Sequence, residues 1–278
     1  MNHGVISNHV RINIPPAGQL ASTLSGRLET FSTKRMHTHA YHQLLTIQNG
    51  VSLLEEITRR QPLFGSMAAL IPADLPHRST VVGEPVTYKS LYFAPHLFEA
   101  EISEIIIFNM SSLCAALFNR IEIRSASEID KHLNRQCLDL LLKILREDLL
   151  RPVNLARLPQ PSHPQIRRVV DFIEQNYYRR LGMSDVVEVF PYSERHISRL
   201  FKADMKISVF EYLRLYRILT ASVRLSTSPA TITEIAYDCG YESISTFYRD
   251  FSMTFGLAPG VFRDRVTMLQ TLCSTDIS

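Results

Sequence analysis

Three histidines and a glutamine stand close together near the amino terminus, in the stretch MHTHAYHQ at residues 36 to 43. His37 and His39 are two residues apart, so a β-strand would present both imidazoles on one face. Two imidazoles on one face can bind a metal ion. They can also line a pocket for an organic ligand or only pack, so the surrounding elements have to decide between these roles.

Short β-type segments between residues 28 and 95 surround this stretch. The segments are LLTIQ before NG, SLLEEIT before QP, AALIP before ADLP, and TYKSLYF before AP. Such runs, separated by glycine and proline, predict an antiparallel sandwich or small barrel. Because side chains alternate along a strand, Gln43 shares a face with His39, and Tyr88 shares a face with Tyr92.

A helical pattern replaces the β-type pattern from about residue 96 onward. In residues 127 to 150, apolar side chains recur at helical spacing and leave charged residues on the opposite face. The apolar stripe consists of Ile129, Leu133, Cys137, Leu140, Leu141, Ile144 and Leu145. This long helix can cover the open barrel, and the other edge of its broad stripe can form a dimer contact.

Residues 152 to 165 carry four prolines and no periodicity. Proline lacks the amide hydrogen and disfavours helix in the residue before it, so this segment is predicted to be an interdomain linker. A chain of 278 residues is long enough for the two domains that such a linker would separate.

The composition excludes several classes of protein. A hydrophobic content of 45% with 21% charged residues is typical of a globular protein, and neither a signal sequence nor a membrane span is predicted. The four cysteines are scattered without a CxxC pair, which favours buried thiols in a reducing compartment, and we expect a cytoplasmic protein. A net charge of +3 permits a polyanionic partner without requiring one.

One structural unit is used twice in the carboxy-terminal half. The segment from Ser184 matches the segment from Thr233, with one extra residue in the second copy. The matched pairs include Asp185 with Glu234, Tyr192 with Tyr241, Arg199 with Arg249, Phe201 with Phe251, and Tyr212 with Phe262. Each copy opens with Ser or Thr followed by an acid, which predicts helix N-caps at Ser184 and Thr233.

The second helix of each copy has an apolar side and a side rich in hydrogen-bond donors. The donor sides carry Arg195, Ser198, Arg199 and Lys202 in the first copy, and Ser245, Tyr248, Arg249 and Ser252 in the second. One such helix would be ordinary solvated surface. Two copies joined by an amphipathic helix from about residue 209 to 225 predict tandem helix-turn-helix units, in which these groups read base edges or bind phosphate.

Residues 166 to 265 resemble the DNA-binding module of the AraC/XylS transcription regulators, most closely in ITEIAYDCGYESISTFYRDFSMTFGLAPGVFR. The resemblance implies that two recognition helices enter major grooves on one face of the DNA, about one helical turn apart. It places at contact positions Arg195, Ser198, Arg199, Lys202, Ser245, Thr246, Tyr248 and Arg249. The first copy departs from the family pattern at Val187, Pro191 and Lys206, where a small residue or glycine is usual.

Regulators of this family commonly carry a cupin-like barrel, and residues 28 to 95 resemble one. The cupin pattern HxHxxxE(x6)G is present as His37, His39, Gln43 and Gly50, and a second pattern as Pro72 and His77 with Asp74 in place of glycine. Cupin enzymes typically bind a metal ion with three His and one Glu, and here Gln replaces the only anionic ligand. We therefore expect no resident metal or other cofactor. The predicted effector pocket consists of His37, His39, Tyr41, Gln43, His77 and Tyr88, and the alternatives are an ion as the signal or packing alone.

The sequence thus predicts an α+β multidomain protein with a cupin-like β-barrel, a helical dimerisation segment and an all-α double helix-turn-helix module. The predicted boundaries are 1–95 for the barrel with an N-terminal arm, 96–151 for the helical segment, 152–165 for the linker and 166–268 for the DNA-binding domain. The predicted function is a transcription regulator, activating rather than repressing, that responds to an unidentified small effector. The alternatives are a regulator without such an effector and a cupin-type metal-dependent enzyme with an appended helical module.

The expected partners are double-stranded promoter DNA, RNA polymerase, the small-molecule effector and a second copy of the chain. Neither a membrane partner nor catalytic activity is expected. The homodimer contact is predicted at Leu133, Cys137, Leu140, Leu141 and Ile144.

Overall fold

The computed structural model of the chain describes residues 10–11, 21–28, 35–48, 50–65, 67–82, 86–98, 101–121, 128–153, 157–188, 190 and 192–274. The chain divides into two compact units. The first, called here the β unit, comprises Met1–Glu56 and Leu63–Asn154, and the second, the helical unit, comprises Ile57–Pro62 and Leu155–Ser278. The short segment Ile57–Pro62 therefore belongs to the helical unit although it interrupts the β unit in the sequence.

Short strands build the β unit and confirm the predicted β-rich domain. They are β1 (Val10–Arg11), β2 (Ala21–Leu28), β3 (His37–Thr38), β4 (His42–Ile47), β5 (Val51–Glu56), β6 (Arg59–Phe64), β7 (Ala68–Ile71), β8 (His77–Val82), β9 (Val86–Phe93) and β10 (Ile106–Phe108). One sheet has the antiparallel order β10-β7-β4-β9-β2. The other sheet brings β1, β3, β8 and β5 side by side, and β6 begins within the segment assigned to the helical unit.

Strand β10 corrects the prediction that the chain is helical from residue 96 onward. Its three residues, Ile106, Ile107 and Phe108, pair with residues 68 to 70 of β7. Because β-branched side chains lose rotamer freedom in a helix and pack well on a pleated sheet, this run forms a strand. A 3-10 helix at Pro95–Leu97 precedes it, and the helices α1 (Ser112–Arg120) and α2 (Glu128–Leu149) follow it.

Helix α2 packs on the five-stranded sheet. Leu138, Leu141 and Leu145 are buried in one core with Leu44 and Phe93. This corrects the assignment of Leu141 to a dimer contact, because its side chain is fully buried in its own unit. The other predicted contact residues stay accessible: Leu133 is 38% exposed, Leu140 is 46% exposed, and Cys137 and Ile144 are half-buried.

Seven helices form most of the helical unit among the residues that the structure describes. They are α3 (Pro164–Asn176), α4 (Met183–Glu188), α5 (Glu194–Met205), α6 (Val209–Thr227), α7 (Ile232–Asp238), α8 (Ile244–Phe255) and α9 (Pro259–Ser274). The pairs α4–α5 and α7–α8 are the two predicted helix-turn-helix units, and α6 is the predicted connecting helix. The all-helical module is therefore confirmed.

Much of the segment predicted as a linker is ordered within the helical unit. Its residues Leu158–Pro159 form strand β11, which pairs with Arg59 and Arg60 of β6. The backbone N–H groups of Ser162 and His163 each donate to Asp204 Oδ2 at 3.1 Å. Helix α3 then begins at Pro164, where the missing amide hydrogen costs nothing because the first helical N–H has no intrahelical partner.

An ion pair holds the segment Ile57–Pro62 in the helical unit. The Arg60 guanidinium donates to the Glu174 carboxylate on α3, and the Tyr212 hydroxyl donates to the same carboxylate at 2.5 Å. Arg60 also lies over the Tyr216 ring, 5.5 Å from its centroid. Both partners of the ion pair are largely buried, at 17% and 20% side-chain exposure. Each charge therefore offsets the free-energy cost of removing the other from water.

The two copies of the repeat use their matched aromatic residues in the same way. Phe201 packs edge-to-face on Tyr212 with 5.9 Å between ring centroids. In the second copy Phe251 packs edge-to-face on Phe262 with 5.3 Å between centroids. The equivalence inferred from the sequence therefore extends to the packing of the two cores.

The helix caps of the two copies differ from the prediction. Helix α7 is capped by Thr231, whose hydroxyl accepts from the Glu234 N–H while the Glu234 carboxylate accepts from the Thr231 N–H. The predicted cap at Thr233 is therefore wrong, because the partners of a capping box are three positions apart, as Thr231 and Glu234 are, whereas Thr233 adjoins Glu234. Ser184 lies inside α4 rather than at its cap, and Asp185 accepts from the Gly182 N–H at 2.7 Å.

Candidate DNA-binding surface and candidate sensor pocket

Helix α5 turns its predicted contact residues away from the core of the helical unit. Its N-cap Ser193 accepts a hydrogen bond from the backbone N–H of His196 at 3.4 Å. Ile197, Phe201 and Met205 are buried on one side of the helix. All four predicted contact residues are exposed: Arg195, Ser198, Arg199 and Lys202. One face thus anchors the helix and the other presents cationic and hydroxyl groups.

Helix α8 has the same arrangement in the second copy. Ser243 caps it by accepting from the backbone N–H of Thr246 at 3.5 Å, and Phe247 and Phe251 are buried. The accessible residues are Ser245, Tyr248 and Arg249, which are exposed, and Thr246, which is half-buried. The eight positions that the resemblance assigned to DNA contact therefore form two accessible helix faces.

Two residues of α8 that the sequence analysis did not single out belong to this face or support it. Asp250 is 7% exposed, and its Oδ1 lies 3.5 Å from Nε of Arg249. Its other oxygen accepts a hydrogen bond from the Tyr241 hydroxyl at 3.4 Å. Met253 is 71% exposed, one turn beyond Arg249, where an apolar side chain can contact a thymine methyl group. The position of Met253, four residues after Arg249, could have predicted from the sequence that the two side chains share one helix face.

Two of the three unusual residues of the first copy can be compared with their counterparts in the second. Lys206 follows α5 with φ +62°, the left-handed conformation that Gly256 adopts after α8 with φ +68°. Val187 is half-buried against the core, where Ala236 of the second copy is fully buried. Pro191 lies outside the described residues.

A close backbone approach positions the turn of the second copy. Gly240 has φ +81°, and a Cβ at this position would lie 2.4 Å from the Tyr177 carbonyl oxygen and 2.8 Å from Arg217 Nη2. Arg217 on α6 donates to the carbonyl oxygens of Tyr177 at 2.8 Å and Arg179 at 2.7 Å. Glycine is required here because both the space and the backbone conformation exclude a side chain.

The three histidines predicted to line a pocket meet inside the β unit. His37 on β3 lies directly opposite His77 on β8 in the antiparallel register, with 4.3 Å between ring centroids. His39 follows β3 directly, and its ring lies 5.0 Å from that of His77. One ligand nitrogen from each residue lies within 4.8 Å of the others. The sequence pattern therefore located a real cluster of imidazoles.

Side chains of the five-stranded sheet close the other side of this cluster. Gln43 Oε1 lies 3.1 Å from His39 Nε2, and the Gln43 amide group donates to Ser90 Oγ at 2.9 Å. The Tyr92 ring meets the His39 ring edge-to-face with 5.1 Å between centroids. Burial raises the pKa of Tyr92 to about 12. The Tyr92 phenol is therefore neutral at physiological pH.

The alternation of side chains along β9 places the remaining predicted pocket residues. Leu91 and Phe93 belong to the core under α2. Because side chains alternate along a strand, Tyr88, Ser90 and Tyr92 project from the opposite face, toward the histidine cluster. Tyr88 is half-buried. Tyr41 contributes its backbone carbonyl oxygen, which accepts a hydrogen bond from His39 Nδ1 at 2.7 Å. The predicted pocket residues thus lie on two facing sides, with His37 and His77 on one sheet and Gln43 and Tyr88 on the other. Tyr41 is joined to His39 through its main chain.

Burial keeps the clustered imidazoles neutral. Burial, followed by the neighbouring His39 ring, lowers the pKa of His37 to about 4. Burial, followed by the rings of His37 and His39, lowers the pKa of His77 to about 3. Burial also lowers the pKa of His39. Neutral imidazole carries one N–H donor and one lone pair, which suits it to bind a metal ion or a polar organic ligand.

A tandem pair of helix-turn-helix units with exposed cationic faces, together with a β-rich unit that has a polar inner wall, defines the class of DNA-binding transcription regulators with a sensor domain. Comparisons with known proteins agree with this class. A family model described as an AraC-like ligand binding domain matches residues 22–150, and one described as a helix-turn-helix domain matches residues 186–265. The chain belongs to the AraC family of transcriptional regulators.

The matching proteins include a short relative and longer ones. The regulatory protein SoxS of Salmonella typhimurium is 33% identical over 106 residues, which are 38% of this chain and 99% of SoxS. YfiF of Bacillus subtilis, an uncharacterized HTH-type transcriptional regulator, is 32% identical over 139 residues, which are 49% of this chain and 43% of YfiF. The matched region thus spans less than half of YfiF.

Two solved structures are among the matches. ToxT from Vibrio cholerae is 13% identical, with a TM-score of 0.36, and the match covers 88% of this chain and 98% of ToxT. The C-terminal domain of AraT, a response regulator from Geobacillus stearothermophilus, is 27% identical, with a TM-score of 0.36 and coverage of 37% of this chain and 86% of that domain. Among the described residues of this chain, no helix is long and apolar enough to cross a membrane.

Proposed function

We propose that this regulator binds promoter DNA by inserting α5 and α8 into neighbouring major grooves on one face of the duplex. The observation that carries the proposal is the arrangement shared by the two helices, each of which buries an apolar face and exposes hydrogen-bond donors. The proposed contact residues are Arg195, Ser198, Arg199, Lys202, Ser245, Thr246, Tyr248 and Arg249.

Helix α8 is proposed as the more discriminating of the two. An arginine that donates two hydrogen bonds to guanine contributes ~1–3 kcal/mol of discrimination against the wrong base. The buried carboxylate of Asp250 beside Arg249 limits the orientations of that guanidinium. The turn before α8 is fixed by the close approach at Gly240. These two features support precise placement of Arg249 against a base edge.

The β unit is proposed to bind the effector between its two sheets, against the side chains of His37, His39, Gln43, His77 and Tyr88. Its match to a ligand-binding domain supports this assignment. Effector binding would favour one arrangement of the DNA-binding modules in a homodimer and so change promoter occupancy and recruitment of RNA polymerase. We propose activation as the outcome, in the cytoplasm, by a protein that is not an enzyme.

The dimer contact is proposed on the accessible edge of α2. Leu133 and Leu140 are exposed, and Cys137 and Ile144 are half-buried beside them. A two-fold contact between such stripes would place two helical units on paired half-sites of DNA.

Substitution of Arg249 by alanine tests the DNA-binding surface. Promoter fragments are first recovered by genome-wide mapping of the sites that the wild-type protein occupies. We expect Arg249→Ala to weaken binding to these fragments by about 10- to 100-fold, because it removes a base contact worth ~1–3 kcal/mol. The melting temperature should change little, since the side chain is 67% exposed.

The matched control is Arg135→Ala, which removes an arginine that is 54% exposed on α2, outside the helical unit. This variant should bind the same fragments with wild-type affinity. Unchanged footprints for Arg249→Ala would refute the assignment of Arg249, and equal losses in the two variants would indicate a nonspecific effect of charge.

A further inference from the structure

The hydrogen bonds around the histidine cluster determine which ring nitrogens carry protons. His39 Nδ1 lies 2.7 Å from the Tyr41 carbonyl oxygen, and His77 Nδ1 lies 2.8 Å from the Leu75 carbonyl oxygen. Because a carbonyl oxygen only accepts, both Nδ1 atoms carry the hydrogen and both Nε2 atoms of these neutral rings keep a lone pair. Backbone carbonyls commonly orient metal-binding histidines in this way.

Two hydrogen-bond acceptors face each other beside the cluster. His39 Nε2, with its lone pair, lies 3.1 Å from Gln43 Oε1, and the Gln43 amide nitrogen is already donating to Ser90 Oγ at 2.9 Å. A cation between the two acceptors would satisfy both of them. Rotating the Gln43 amide by half a turn would also remove the conflict, without an ion. The two arrangements therefore make opposite predictions about metal binding.

His37 supplies a third nitrogen that can act as a ligand. Its Nδ1 is buried and has no hydrogen-bond partner among the residues that the structure describes. A buried polar atom without a partner is unfavourable, and an ion would provide one. One ring nitrogen of each histidine lies within 4.8 Å of one ring nitrogen of the other two, and nitrogens bound to one tetrahedral ion at ~2.1 Å lie ~3.4 Å apart. Side-chain shifts of about an ångström would therefore close the site.

We propose that the β unit binds one divalent ion of the imidazole-preferring class, such as Zn²⁺, Co²⁺ or Ni²⁺, through His37, His39 and His77, and that this ion is a signal for the regulator. The amide oxygen of Gln43 is the fourth ligand. The signalling role rests on the function proposed above, whereas the site itself does not. The proposal reverses the expectation from the sequence that no metal is bound.

The donor set determines the class of ion and the strength of binding. Mg²⁺ and Ca²⁺ prefer oxygen ligands with carboxylate charge, and the cluster offers three neutral nitrogens and an amide. Because no carboxylate ligand compensates the charge of the ion, binding is weaker than in a site with three His and one Glu. Weaker binding makes the ion exchangeable, which is suited to a sensor.

Titration of the metal-stripped full-length protein with Co²⁺ tests the site directly. Binding is followed by the visible absorption of the bound ion, and Zn²⁺ is then added to displace it. We expect one ion per chain in the wild-type protein. His39→Asn should weaken binding by more than about 100-fold, because losing a ligand should exceed the effect of losing an outer-shell partner. Gln43→Glu should tighten binding by about tenfold, because a carboxylate adds opposite charge next to the ion.

The matched control is His42→Asn, which removes a neighbouring histidine outside the cluster. His42 is also buried, but its Nδ1 accepts from the Ala73 N–H at 3.1 Å, and its ring packs 5.5 Å from that of Phe93. This variant should bind Co²⁺ like the wild type. Absence of Co²⁺ and Zn²⁺ binding by folded wild-type protein would overturn the site, as would equal losses in His39→Asn and His42→Asn.

Promoter binding with and without Zn²⁺ tests the signalling role. A change in Kd on addition of Zn²⁺ that is abolished in His39→Asn supports this role, and an unchanged Kd overturns it while the titration still decides the site. Wild-type protein that binds the ion but no mapped promoter fragment in either condition would overturn the proposed function and leave the metal site standing.

Discussion

Replacing Gly240 with alanine would disrupt the turn that positions the second recognition helix. The left-handed backbone conformation at φ +81° costs an L-residue ~1–2 kcal/mol. The added Cβ would also lie 2.4 Å from the Tyr177 carbonyl oxygen, a backbone atom that cannot rotate away. Separating the turn from this carbonyl and from Arg217 costs a further ~1–3 kcal/mol, as in other overpacked sites. We therefore expect Gly240→Ala to lower the free energy of unfolding of the helical unit by about 2–5 kcal/mol.

The same substitution at Gly256 separates the two contributions. Gly256 has φ +68°, but a Cβ there would meet no atom within 4 Å. Gly256→Ala should cost only about 1 kcal/mol, because the backbone strain is partly offset by the lower conformational entropy of alanine in the unfolded chain. Urea unfolding followed by helical circular dichroism measures both values. Equal destabilisation by the two substitutions would refute the argument from the close approach at Gly240.

Two further predictions concern buried charge and self-association. Arg60→Met should lower the free energy of unfolding of the helical unit by about 3–5 kcal/mol in the same urea assay, because it leaves the largely buried Glu174 carboxylate without its cationic partner. A loss below 1 kcal/mol would mean that this ion pair behaves as a solvated one. Replacing Leu133 and Leu140 together with lysine should convert a dimer into a monomer in analytical ultracentrifugation with little change in stability, whereas Leu141→Ala should cost ~2–5 kcal/mol through a core cavity. A double variant that remains dimeric would refute the proposed contact.

The repeat made much of the helical unit predictable from the sequence. Because each position occurs twice, Phe201 could be matched with Phe251 before any packing was known, and the exposed arginines followed from the same alignment. The caps were mislocated although the spacing of Thr231 and Glu234 was present in the sequence, because a second threonine adjoins the acid. Which threonine caps the helix depends on which one has the extended backbone of an N-cap residue, and the residue types alone do not determine that backbone conformation.

The β unit was predictable in pattern but not in detail. Strand alternation placed His39 and Gln43 on one face, and the two cupin-like patterns brought His77 to the same site. The orientation of the Gln43 amide could not be predicted, because it depends on Ser90, 47 residues away in the sequence. The pair between Arg60 and Glu174 was equally inaccessible, since the residues are 114 positions apart and no local pattern links them.

The assignment of Ile57–Pro62 to the helical unit affects how this regulator can be synthesised and recombined. Arg60 emerges from the ribosome 114 residues before its partner Glu174, so the helical unit can complete its ion pair only after the β unit has been translated. A hybrid regulator made by exchanging chains at residue 155 would pair Glu174 with a foreign segment in place of Ile57–Pro62. Compatible hybrids therefore need the two segments of the helical unit, Ile57–Pro62 and Leu155–Ser278, to be transferred together.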